Sequence, residues 1–191
     1  MFCYQCEQTV KGEACTKGGV CGKSHDVASL QDLLVYALIG LSSAASEARR
    51  KGIVDHEADV FTVKALFSTL TNVNFDAARF MSLIGQAVKY RDSLIGKVKA
   101  SGGSLDLTRD ALTFTPAGTL EGLVTQGEKV GLKSYPAANA DILSLKHTLL
   151  FGLKGVAAYA DHAQILGQED PIVYAFVHEA LASLADGKIG L

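Results

Sequence analysis

The sequence predicts an all-α protein: two helical-bundle repeats that follow an N-terminal loop carrying every cysteine of the chain. Three observations lead there. After residue 24 apolar residues recur at steps of three and four, the spacing of one face of a helix, and the period-two alternation of strands is missing. All four cysteines fall within the first 21 residues, among several glycines. Sliding the chain by 115 places residues 30–70 on 145–185 without a gap, with 12 of 41 positions identical, among them Leu30/Leu145, Gly40/Gly155, Gly52/Gly167 and Asp55/Asp170. Gly52/Gly167 and Asp55/Asp170 are helix stops and caps, so the match exceeds what two Ala- and Leu-rich helices share by composition.

The first helix is expected over about 26–51, with Ser24 or Asp26 as N-cap, Leu30, Leu34, Leu38 and Leu41 on one stripe, and Gly52 as stop. A second runs over about 55–73 with Val60, Val63, Phe67 and Leu70 at helical spacing. A third starts at Asn74, turns Phe80, Ile84, Ala87, Leu94 and Val98 inward and ends before Gly102-Gly103. Residues 102–139, with Pro116 and Pro136, form a connector holding one short helix over about Thr119–Glu128. Helix resumes over about 140–166, halts at Gly167, and restarts at Asp170-Pro171, an acidic N-cap followed by proline at the first helical position, to end near Gly187. The domain organisation expected is therefore 1–25 cysteine loop, 26–101 first three-helix unit, 102–139 connector, and 140–191 second helical unit. That second unit lacks a third helix, which leaves Leu149, Leu153, Val156, Phe176 and Leu181 partly open to water. Gly40 and Gly155 inside helices predict close helix contacts, since each costs about 1 kcal/mol against alanine.

Composition narrows the function classes. The 191 residues are 48% hydrophobic and 20% charged, which excludes disorder as the ground state and supplies a core without disulfide staples. With 18 basic and 20 acidic side chains and no basic run beyond Arg49-Arg50-Lys51, there is no electrostatic footprint for nucleic acid. The longest nearly unbroken apolar stretch, Leu33–Leu41, falls far short of the roughly 20 residues a bilayer span takes, so no membrane is expected. No secretory leader is read at Met1-Phe2-Cys3, and the reducing cytoplasm is the expected location, where clustered thiols serve metal better than disulfides.

Chemistry concentrates in Cys3-x2-Cys6-x8-Cys15-x5-Cys21. Glycines 12, 18, 19 and 22 let such a loop reverse and bring four thiolates to one centre. Iron–sulfur clusters and structural zinc sites both take four thiolates; two tight CxxC knuckles would mark a zinc ribbon, and the second pair here is stretched. Iron–sulfur, zinc and uncommitted thiols all remain open on spacing alone. Lys11, Lys17 and Lys23 stand among the cysteines, either as cations that offset a cluster's negative charge or as solvated lysines of a surface loop. Phe2, Tyr4, Val10 and Val20 are candidates to shield the site from water.

The segment Met1-Phe2-Cys3-Tyr4-Gln5-Cys6-Glu7-Gln8-Thr9, continued by Cys15-Thr16-Lys17, by Gly19-Val20-Cys21-Gly22-Lys23 and by Leu30-Gln31-Asp32-Leu33-Leu34-Val35-Tyr36, resembles the N-terminus of the hybrid cluster proteins, also called prismane proteins or hydroxylamine reductases. The likeness continues through Gly155-Val156-Ala157-Ala158-Tyr159-Ala160 and Tyr174-Ala175-Phe176-Val177-His178-Glu179-Ala180-Leu181. It implies that Cys3, Cys6, Cys15 and Cys21 hold a 4Fe-4S cluster, the type found in the subgroup with short cysteine spacing. The family's active centre is an iron–sulfur–oxygen hybrid cluster bound by Cys, Glu and His of later domains, for which this chain has no counterpart. The resemblance thus implies an electron-transfer module of an oxidoreductase acting on hydroxylamine or nitric oxide, inactive alone, with no catalytic residue of its own. Its partners would be a redox protein as electron donor, and the remaining domains of a parent protein or another subunit packed on the second helical unit. The competing reading is a non-catalytic module in which the same thiolates hold zinc or a cluster as a redox or nitric-oxide sensor or interaction domain.

Other motifs fail. A P-loop at Gly18–Ser24 would need glycine at position 17, where lysine stands, and no strand precedes it. No Glu-x-x-His pair of a di-iron bundle occurs. His147, His162 and His178 read as packing or surface histidines on helices.

Overall fold

The computed structural model describes residues 3–6, 15–107, 110–131 and 134–187. Lys11, Gly12, Phe2 and Val10 lie outside the described residues. Among those described are seven helices and no strand, as the all-α reading predicts: α1 His25–Arg50, α2 His56–Ser68, α3 Ala77–Ala100, α4 Asp110–Thr113, α5 Leu120–Gly127, α6 Ala140–Ile165 and α7 Pro171–Ser183.

Local chemistry explains the ends. Ser24, Asp55, Asp76, Thr119, Asn139 and Asp170 are N-caps whose side-chain oxygens accept backbone N–H groups of the first turn. Two helices stop earlier than their periodicity predicts. α2 ends at Ser68 rather than near residue 73, with the Thr69 hydroxyl turned back to the Leu66 carbonyl at 2.7 Å. α7 ends at Ser183 rather than near Gly187, because the buried Lys146 ammonium of α6 donates to the carbonyls of Leu184 at 3.0 Å and Asp186 at 2.6 Å. The connector holds α4, which periodicity does not foresee; Arg91 of α3 secures it by donating to the carbonyls of Ala111 and Phe114 at 3.1 and 2.8 Å.

The duplication is visible in the helices themselves. Shifting α1 and α2 by 115 gives the bounds of α6 and α7 at every end. Both hairpins turn the same way: Gly52 and Gly167 have φ of 74° and 71°, and Ile53 and Gln168 each donate to the carbonyl five residues back, Ala48 and Ala163, at 2.9 Å. Glycine adopts such φ values without strain. α1 packs on α7 and α2 packs on α6, so the contacts between the hairpins exchange under the repeat.

α1 is the central helix, touching α2, α3, α4, α5 and α7. Leu30, Leu34, Leu38 and Leu41 are buried as predicted, and so are Leu33, Ala37 and Ala44 on other faces. By length and composition this one helix is apolar enough to cross a membrane, and its most apolar window is 83% buried by the other helices, the condition of a core helix. The predicted inward face of α3 is buried throughout. On α2 the buried face is rotated: Ala58, Thr62, Val63 and Leu66 point inward, while Val60, Phe67 and Leu70 are half-buried, because α6 and α7 press on α2 from a second side.

One apolar cluster runs through both hairpins. The second hairpin therefore closes part of its face on the first, which corrects the expectation of five open side chains: Leu153 and Leu181 are buried and Leu149 is half-buried. Val156 and Phe176 stay open at 37% and 51% exposure. Gly40 meets the predicted close contact, since a Cβ there would lie 2.1 Å from the Ala111 carbonyl oxygen. Gly155 does not, since among the described residues nothing lies within 4 Å of the place its Cβ would take.

Candidate metal centre

Two parts of the cysteine loop meet where the Cys3 N–H donates to the Cys15 carbonyl at 3.5 Å, an isolated antiparallel bridge. This sets both thiols side by side and buried, against Ala28 in the first turn of α1. Cys6 and Cys21 are half-buried, and no disulfide joins any of the four. The chain turns after Cys21 through Gly22, at φ 85°, whose N–H reaches the Gly19 carbonyl at 2.9 Å, and passes directly into the Ser24 cap of α1. Among the described residues no group of three or more His, Cys, Asp or Glu side chains stands at metal-binding spacing. The structure thus pairs Cys3 with Cys15 and places Cys6 and Cys21 on the same loop without completing such a group.

Beneath the thiols lies a polar floor. Lys23 is 4% exposed, which overturns the surface-lysine reading at this position, whereas Lys17 is exposed as that reading expects. The Lys23 ammonium donates to the Gln5 side-chain carbonyl at 2.6 Å and to that of Gln31. Gln5, between Cys3 and Cys6, in turn donates to the Ala28 carbonyl at 2.7 Å and to the Asp32 carboxylate at 2.8 Å. Gln31 donates to the Asn74 carbonyl at 3.1 Å. The loop is thereby pinned to α1 through side chains, and each buried polar group here has a partner. Lys154 of α6, 1% exposed, donates to the Thr69 carbonyl at 3.4 Å and lies near enough to Cys3, Cys6, Lys23 and Asp32 for their charges to act on it. Val20 is 56% exposed and shields nothing; Tyr4 is half-buried.

Burial dominates the electrostatics. It pushes the Cys3 thiol up, against the pull of a backbone hydrogen bond and of Lys23. Desolvation raises the Asp32 carboxyl to about 6, opposed by Gln5, Lys154 and Lys23, and lowers the Lys154 ammonium to about 8. At Cys3 burial thus favours the thiol over the thiolate, with Lys23 opposing it and a bound metal adding to that opposition. In kind, the donor set fits a four-thiolate group: four thiols on one loop, two of them shielded, over two buried ammonium groups.

Cys3, Cys6, Cys15, Cys21 and Lys23 are legible in the sequence; Gln5, Gln31, Asp32 and Lys154 are missed. One signal does point to Lys154. It interrupts an apolar helix where the first repeat carries Ile39, a charge at a core position of a duplicated unit. The three helix histidines take packing or surface places: His178 is buried, His162 stacks edge-on to Phe67 at 5.5 Å, and His147 lies 6.4 Å from the Phe151 ring.

The profile of the Prismane/CO dehydrogenase family matches residues 1–191. Curated proteins named "Hydroxylamine reductase" align along the chain. That of Syntrophobacter fumaroxidans is 67% identical over 183 residues, 96% of this chain and 34% of its own length. That of Methanocella arvoryzae is 58% identical over 192 residues, 100% of this chain and 35% of its own, and that of Solidesulfovibrio magneticus 56% identical over 184 residues, 96% and 33%. The chain spans about a third of the length of these relatives.

Proposed function

We propose, from the premise that the chain belongs to the Prismane/CO dehydrogenase family, that it is the electron-relay part of a hydroxylamine reductase-like oxidoreductase of the cytoplasm, holding a 4Fe-4S cluster through Cys3, Cys6, Cys15 and Cys21. The observation that carries the reading is the loop itself: four thiols on one short segment, over a floor of buried cations, in a chain aligned along its length with proteins named hydroxylamine reductase.

When bound, a cluster of this kind supplies one-electron chemistry. The residues of this chain hold and insulate it. Cys3 and Cys15 place two sulfurs out of water, Gln5 fixes the backbone between Cys3 and Cys6, and Lys23 anchors Gln5 to α1. A site so pinned reorganises little when charge arrives, as electron transfer requires. Reduction of hydroxylamine or nitric oxide belongs, in this reading, to ligands outside these residues, since the chain has no cysteine after Cys21. The open side of α6 and α7 is the surface for the remaining part of a longer protein or for another subunit, and a redox protein delivers the electrons.

Anaerobic reconstitution with iron and sulfide tests this. The expected result is about four iron and four sulfide per chain, lost when Cys6 or Cys21 is replaced by serine, and no hydroxylamine turnover by the loaded chain. Stoichiometric zinc without sulfide would establish the sensor or structural alternative instead, and two iron per chain would change the cluster type.

A further inference from the structure

We propose that Lys154 and Asp32, opposite charges contributed by the two different helical repeats, are positioning residues that set the charge felt by the thiol-bound centre, Lys154 favouring its negative forms and Asp32 opposing them. The inference rests on the proposed metal site and goes beyond it, because neither residue lies on the cysteine loop.

The geometry is specific. Lys154 sits on α6 with 1% of its surface exposed and only the Thr69 carbonyl, at 3.4 Å, as a hydrogen-bond acceptor, a poor return for burying an ammonium group. Its ordinary compensation would be a salt bridge, yet no carboxylate reaches it within 4 Å among the described ion pairs. Cys3, Cys6, Asp32 and a second cation, Lys23, instead lie near enough for their charges to act on it. Two buried ammonium groups within range of each other's charge repel, and the repulsion is offset when the four thiols become thiolates around a metal. Asp32 is held differently: its carboxylate accepts from Gln5 at 2.8 Å, so it acts on the loop through a neutral amide and places negative charge on the same floor. The counterpart of Lys154 in the first repeat is Ile39, buried and uncharged, so the fold does not need a cation at this position.

Charge-neutral variants of similar shape, Lys154→Met and Asp32→Asn, test the idea at pH 7 with two readouts that do not involve turnover. The first is the affinity of the metal-free chain for Co2+ alone, followed by thiolate-to-cobalt absorption. The second is the midpoint potential of the iron–sulfur-loaded chain. Lys154→Met should weaken Co2+ binding about tenfold and make the centre about tenfold harder to reduce, which at one electron is about 59 mV. Asp32→Asn should shift both readouts the other way. A structural role would weaken both variants alike, so shifts of the same sign, or no shift in chains that load normally, overturn the proposal. If Lys154→Met fails to fold, Asp32→Asn carries the test, and an unshifted or lowered potential there overturns it. A wild-type chain that takes up neither cobalt nor iron and sulfide instead overturns the metal-site reading on which this rests.

Discussion

Gly40 and Gly155 occupy the same position of the two repeats, yet only Gly40 is required by its surroundings. At Gly40 the backbone of α4 crosses so close that a methyl group would stand 2.1 Å from the Ala111 oxygen, with the Arg91 side chain at 3.4 Å. Gly40→Ala should therefore cost about 1–3 kcal/mol through displaced backbone, outweighing the gain of about 1 kcal/mol that alanine brings to a helix interior. Gly155→Ala meets nothing and should stabilise the chain by up to about 1 kcal/mol. Urea unfolding of both variants checks the opposite signs, and a loss at residue 155 would show that something covers α6 in solution. The sequence supplies the matched pair of glycines; which one is needed depends on a connector that is not itself repeated.

The helices of the second repeat carry the apolar surface that α3 covers in the first. Phe61 of α2 is 8% exposed and packs on Tyr90 of α3 with ring centroids 5.1 Å apart, while its counterpart on α7, Phe176, is 51% exposed. Val156 and Tyr159 are likewise open where Leu41 and Ala44 are fully buried. In the proposed function this apolar face is the one a partner covers. In the 191-residue chain, Phe61→Ala should cost about 3–5 kcal/mol, and Phe176→Ala no more than about 0.5 kcal/mol. A large loss at Phe176, together with a solution mass of two chains, would show that a second copy already covers the face. Periodicity alone marks all of Leu149, Leu153, Val156, Phe176 and Leu181 as one apolar set; it does not say that α1 and α2 would bury Leu153 and Leu181, because hairpin-on-hairpin packing joins residues more than a hundred positions apart.

Across the whole molecule the two repeats are locked by a buried polar chain. His178 of α7 hydrogen-bonds the Ser42 hydroxyl of α1 and the Asp59 carboxylate of α2, both at 3.0 Å, and Arg49 closes on Asp59 at 2.6 Å. Burial holds His178 below its ordinary range; burial opposes ionisation of Asp59, yet its bonds to His178 and Arg49 keep that carboxyl low. Both groups therefore take up protons on unfolding. Their contribution is complete above the ordinary histidine value of about 6.5 and is lost as pH falls through the folded-state values, His178 first and Asp59 below it. The stability difference between wild type and His178→Gln should shrink as pH drops from 7 to 5, and a difference independent of pH would refute the assignment. Asp59→Asn, leaving Arg49 and His178 without their anion, should cost about 3–5 kcal/mol at pH 7. By itself the sequence determined six of the seven described helices, the caps at Asp55 and Asp170, the repeat, and the four thiols on one loop, because helical spacing, capping and cysteine clustering are local properties. Only the tertiary structure decided that Lys23 is buried, that Lys154 and Asp32 come within range of the thiols' charge, and that His178 joins the repeats. Lys154 reaches Thr69 across 85 positions and His178 reaches Asp59 across 119, and a side chain's burial and partners follow from such long-range contacts, which no short window of sequence encodes.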